Sequence, residues 1–130
     1  IEELNLKNFN TEKITNMSAM FKNCYNMKSI DITSFNTENI RDMSLMFFDC
    51  EGFNYLDLSH FKTGNVISME NMFSFCENLF QLNVSNFDTK NVENMANMFN
   101  FMLNVTSLDV SKFNTSKVKT MERMFALNSK

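Results

Sequence analysis

A step of 26 residues recurs along the whole chain and constrains every reading of it. Phe9, Phe35, Phe61, Phe87 and Phe113 stand 26 apart each time. Thr11, Thr37, Thr63, Thr89 and Thr115 follow the same step. So do Met17, Met43, Met69, Met95 and Met121, then Met20, Met46, Met72, Met98 and Met124, then Phe21, Phe47, Phe73, Phe99 and Phe125. No insertion breaks the register. The copies fall near 1–26, 27–52, 53–78, 79–104 and 105–130, one repeat domain over 1–130. A period in the range of roughly 20–50 residues marks a solenoid or propeller. A unit this short cannot bury a core alone, so the copies must stack and share their apolar faces.

Within one copy, Met27-x-x-Ile30-x-Ile32 gives a leucine-rich frame, repeated as Phe53-x-x-Leu56-x-Leu58 and Leu79-x-x-Leu82-x-Val84. Ile30 and Ile32 alternate with Asp31 and Thr33, the mark of a half-buried strand. A long crossover links each strand to the next, which makes them parallel. Met17, Met20, Phe21 and Cys24 then sit at i, i+3, i+4 and i+7 and predict a short helix near 17–25 of each copy. Asn16, Asp42, Ser68, Asn94 and Thr120 precede it as N-caps. Asn26, Gly52, Asn78 and Asn104 follow it as left-handed terminators. Ile14, Ile40, Val66, Val92 and Val118 anchor the turn between strand and helix.

The predicted fold is therefore an α/β repeat: a curved, leucine-rich-repeat-like solenoid with a parallel sheet on the inner face and short helices outside. Strands pack about 4.8 Å apart and helices about 8–10 Å, which would bend the stack toward its sheet. The chain begins inside a repeat, has neither signal peptide nor evident polar end-caps, and reads as a piece of a longer solenoid with flanking repeats.

Composition excludes several classes of function. The net charge is −3, with no basic patch for nucleic acid. No apolar run is long enough to insert in a membrane. Cys24, Cys50 and Cys76 lie one repeat apart on the inward face without metal-site spacing, and read as buried free thiols. A wide helix layer would keep them too far apart for disulfides. His60 is the only histidine and sits in a polar column with Asn8, Ser34, Asn86 and Lys112. No nucleophile, base or phosphate loop can be assembled, so no catalytic residue, cofactor or resident metal is expected.

The copy Leu82-Asn83-Val84-Ser85-Asn86-Phe87-Asp88-Thr89-Lys90-Asn91-Val92, followed by Met95, Met98 and Phe99, resembles the BspA-type leucine-rich repeat surface proteins, also described as 26-residue-repeat surface proteins. The resemblance covers the whole chain. Met102 departs from it, standing where Cys24, Cys50 and Cys76 occur in other copies. What the resemblance implies is a solenoid on a microbial cell surface that adheres to host proteins or to other cells.

Core columns repeat, so partner choice must sit in columns that vary. The strand face offers Tyr55 and Gln81 in one column and Phe80 in the next. Asp31 and Asp57 would be direct neighbours across the ladder, where like charges repel and a calcium ion would relieve them, unless the column is simply solvated. Phe75 and Phe101 lie in a column that grows apolar along the stack and are expected to be neighbours, partly exposed. Four glycosylation sequons, at Asn16, Asn83, Asn104 and Asn114, read mostly as by-products of the Asn-rich repeat. The sequence reading is a non-enzymatic module binding a host or cell-surface protein. The alternative is a structural scaffold, intracellular or particle-bound, packing through repeat ends and exposed Phe side chains.

Overall fold

The computed structural model describes residues 1–128, so the last two positions of the fifth copy lie outside the described residues. It contains four short strands: β1 (Glu3–Asn5), β2 (Ser29–Asp31), β3 (Tyr55–Asp57) and β4 (Gln81–Asn83). β1 pairs with β2 and β3 with β4, both parallel and in repeat register, as two separate two-stranded sheets. On the opposite side of each coil, Asn16, Asp42, Ser68, Asn94 and Thr120 form an unbroken series of parallel bridges through all five copies.

The predicted helices do not form. Among the described residues there is no helix, and the α/β architecture with an outer helical layer is wrong. The reason lies in where the amides go. The amides of Met17, Ala19, Phe21 and Asn23 donate to the carbonyls of Asp42, Ser44, Met46 and Phe48 in the next coil, at 2.8–3.0 Å. Only three-residue turns close within a coil, such as Met20 to Met17 and Lys22 to Ala19. The backbone turns left-handed at every fourth residue of this segment: Ala19 and Asn23, Leu45 and Asp49, Asn71 and Phe75, Asn97 and Phe101, Arg123 and Leu127. A left-handed residue every four positions forbids a right-handed helix. It still returns the side chains of positions 17, 20, 21 and 24 to one face, so the spacing that suggested a helix is met by stacked turns.

The same residues serve other ends than expected. The column from Asn16 to Thr120 does not cap a helix. Each of its side-chain oxygens accepts the amide two residues on, for example Ser18 N to Asn16 Oδ1 at 2.7 Å and Ser44 N to Asp42 Oδ1 at 2.8 Å. These are Asx-type turns, for which the same short polar side chains are suited. Asn26, Gly52, Asn78 and Asn104 are not the left-handed positions. Asn78 and Asn104 instead donate to Glu51 and Glu77 carbonyls in the preceding coil, at 3.0 and 2.8 Å. A Cβ on Gly52 would lie 2.6 Å from the Met27 carbonyl oxygen, so this coil passes too close for a side chain. The mismatch expected to curve the stack has no helix layer to arise from.

The core is a set of columns along the stack axis. Phe21, Phe47, Phe73, Phe99 and Phe125 stack with centroids 5.4, 5.9, 5.7 and 5.6 Å apart. Met43, Met46, Met69, Met72, Met95 and Met98 surround them, fully buried, and Ile40, Val66 and Val92 close the far side. The buried threonines bind the coils together. Thr63 Oγ1 donates to the Asp88 carbonyl at 3.0 Å and accepts the Asp88 amide at 2.8 Å, and Thr11, Thr37 and Thr89 repeat the pair.

Candidate functional site

The strand face carries four of the candidate residues. Tyr55 and Gln81 are register partners, both exposed. Phe80 precedes Gln81, is 52% exposed, and donates its amide to the Asn54 carbonyl. Asp57 pairs in register with Asn83 and accepts the Ser59 amide at 2.9 Å. That amide, with the Ser59 hydroxyl, holds the Asp57 carboxyl below its ordinary value. Partial desolvation and the bond to Asp57 push the Tyr55 phenol up.

Asp31 pairs with Asn5 instead of Asp57, and no ladder joins β2 to β3. The ladder that was expected to set Asp31 opposite Asp57 is therefore not formed. Asp31 accepts the Thr33 hydroxyl at 2.7 Å and the Thr33 amide at 3.2 Å, bonds that hold its carboxyl low. Asp31, Asp57 and Asp109 each accept the amide two residues on, a local turn bond made within their own coil.

The helix-side candidates do meet. The rings of Phe75 and Phe101 stack at 4.7 Å with 12° between planes, both half-buried. Phe48 joins them at 5.5 Å from Phe75, and the Lys22 ammonium lies 5.1 Å from the centre of the Phe48 ring. The result is an aromatic ridge across three coils with a cation over one end. Phe48 and Lys22 were missed because they stand one column away, at the position before that of Phe75. The adjacent pair Phe48-Asp49 in one copy above Ser74-Phe75 in the next was the only signal.

Phe75 and Phe101 adopt φ of 62° and 57°, a region that costs a bulky side chain about 1–2 kcal/mol. Asn23 and Asp49 occupy the same place in earlier coils, and these types tolerate it. Beside the ridge, Ser74 Oγ and Asn100 Oδ1 are buried and have no hydrogen-bond partner among the described residues.

The family model for a Mycoplasma protein of unknown function, DUF285, matches residues 1–81 and again 75–130. The chain belongs to that family. No curated protein and no solved structure matches. The family description gives no activity, so the chemistry of this DUF285 chain rests on its own side chains.

The cysteine column of the DUF285 chain consists of free thiols, Cys24 half-buried and Cys50 and Cys76 buried. Cys50 Sγ donates to the Phe21 carbonyl at 3.0 Å and Cys76 Sγ to Phe47 at 3.1 Å. Burial pushes the Cys76 thiol up to about 12 and the Cys50 thiol higher still, so neither supplies a thiolate at neutral pH. The helix layer that was expected to separate these thiols is absent. His60 donates from Nε2 to the Ile32 carbonyl at 3.1 Å, since a carbonyl can only accept.

Proposed function

We propose that the chain is a non-enzymatic protein-binding module acting at a cell surface, with the ridge of Phe48, Phe75 and Phe101 as its contact. One observation carries this reading: two phenylalanines occupy strained left-handed positions on the surface, where the first two coils have Asn23 and Asp49 and the fifth has Leu127. The core asks nothing of these rings. Aromatic side chains at a half-exposed site bring contact area at low entropic cost and are common anchors of interfaces. The likeness of the repeat to microbial surface proteins supports the surface location and an adhesive role.

The test is the double variant Phe75→Asn, Phe101→Asn. Relief of backbone strain offsets the lost stacking of about 0.5–1.5 kcal/mol, so the melting temperature stays within a few degrees of wild type. Binding to purified host extracellular-matrix proteins immobilised on a sensor falls by about tenfold or more. Undiminished binding in the double variant removes the ridge. If the wild type binds none of these proteins but self-associates with concentration, and the variant does not, the scaffold reading replaces this one.

A further inference from the structure

A second surface differs from the ridge in every chemical respect. The turns that follow the strands form an open trough of about 760 Å³ over the second, third and fourth coils, within the range of roughly 300–1,000 Å³ of ligand cavities. Shallower hollows continue it on both sides, sharing His60, Lys62 and Asn65. Its floor is centred on Gly64. The column of Gly64 holds Glu12, Glu38, Lys90 and Ser116 in the other copies, so one side chain is missing from the middle of the row. The Asp88 carboxylate fills part of that space: a Cβ on Gly64 would stand 3.0 Å from Asp88 Oδ2.

The polar groups around Gly64 are fixed before any ligand arrives. Asn65 and Asn86 each donate Nδ2 to a carbonyl of the preceding coil, at 2.7 and 2.9 Å, which orients their side-chain oxygens. His60 donates from Nε2 to the Ile32 carbonyl and stands edge-on to Phe61 at 4.9 Å. Two ion pairs line the trough, Lys62 with Glu38 of the preceding coil and Lys90 with Asp88 of its own coil, the latter at 2.8 Å. Charge is therefore balanced in place. An anion would meet carboxylates beside each ammonium, and an apolar ligand would leave these groups unsatisfied.

We propose that the trough over Gly64 binds a neutral oligosaccharide. A carboxylate and an ammonium held side by side accept from one hydroxyl and donate to its neighbour, the pairing that vicinal sugar hydroxyls require. Asn65 and Asn86 add acceptors along the walls. The continuation of the trough toward its neighbours suits a chain of sugar units better than a single ring.

The experiment is a printed array of short neutral oligosaccharides alongside sulfated and sialylated ones, probed with the 130-residue chain at low and high salt. At least one neutral glycan is retained, with little dependence on salt. Gly64→Gln, which fills the floor, and Lys90→Ala, at an exposed side chain, each weaken it by about tenfold or more. The ridge variant Phe75→Asn, Phe101→Asn binds it as wild type does, which separates this site from the protein-binding reading. Should Gly64→Gln not fold, Lys90→Ala decides alone. The proposal is overturned if no neutral glycan is retained, if only anionic glycans bind and salt removes them, or if folded variants bind undiminished.

Discussion

The two sides of the stack are built from the same 26-residue unit yet are held together differently. On the turn side, amides reach from every coil to the next, the bridges run from Asn16 to Thr120, and the phenylalanine column is continuous. On the strand side, β1 joins β2 and β3 joins β4, but no ladder joins the pairs. Leu6 and Leu58 donate to Asp31 and Asn83, while Ile32 and Val84, at equivalent positions, make no such backbone bond to the next coil among the described residues. A repeated sequence therefore does not impose equal cohesion. The turn side is braced by large stacked rings. The strand side has one apolar residue per three-residue strand and polar neighbours competing for the backbone.

The sharpest way to break the comparison is to remove one ring. Phe73 is fully buried between Phe47 and Phe99. Phe73→Ala costs about 3–5 kcal/mol in urea unfolding. Leu56→Ala, on the strand side, should fall at the low end of the roughly 2–5 kcal/mol typical of such truncations. A larger loss at Leu56 than at Phe73 would reverse the ranking of the two sides. Amide exchange sharpens the comparison without mutation. The amides of Phe47 and Phe73 should exchange at the global unfolding limit, and Ile32 and Val84 markedly faster than Leu6 and Leu58. Equal protection at all four strand positions would show the seams to be closed.

The smallest effect is with acid. The folded state holds the Asp31 and Asp57 carboxyls below their unfolded values through bonds from Thr33 and Ser59. Their stabilising contribution is present above the unfolded value of about 3.9 and is lost as pH falls through the lower folded values. Asp57 is exposed to solvent and Asp31 partly so, and the change is slight. The double variant Asp31→Asn, Asp57→Asn should flatten that part of the melting profile below about pH 4. An unchanged acid slope in the variant would assign it to other carboxylates.

Much of this arrangement was legible before the structure. The Phe, Met and Thr columns gave the stacking, the register and about half of the buried apolar core. Of the five residues read as inward anchors, Ile40, Val66 and Val92 are fully buried, while Val118 is half-buried and Ile14 is exposed in the first coil. What failed was the path of the backbone between buried positions. Residues 17, 20, 21 and 24 share a face in a helix and equally in turns with left-handed corners, and side-chain periodicity cannot tell which carbonyl an amide will choose. That choice is made between copies, where the next coil offers an acceptor to Met17, Ala19, Phe21 and Asn23 at once. The Asp31–Asp57 ladder pairing failed for a related reason: register predicted it, and no ladder forms between β2 and β3. Phe75 and Phe101 were legible as neighbours because they share a column. The Phe48 contact was not, because it crosses from one column to another.

The turn-side amides give the stack an electrical direction, because in each inner coil those at positions equivalent to 17, 19, 21 and 23 point to later coils and outnumber the opposed amide of Arg41, Ile67 or Glu93. In each inner coil, the peptide groups that end at positions equivalent to 17, 19, 21 and 23 have N–H toward later coils and C=O toward earlier ones. Aligned peptide dipoles add head to tail, as along a helix axis. The last coil, at Met121, Arg123 and Phe125, is then the positive pole and the first coil the negative one. Further coils of the same kind would move the poles apart without strengthening them, so the molecule is an arrow whose length can change while its polarity stays fixed.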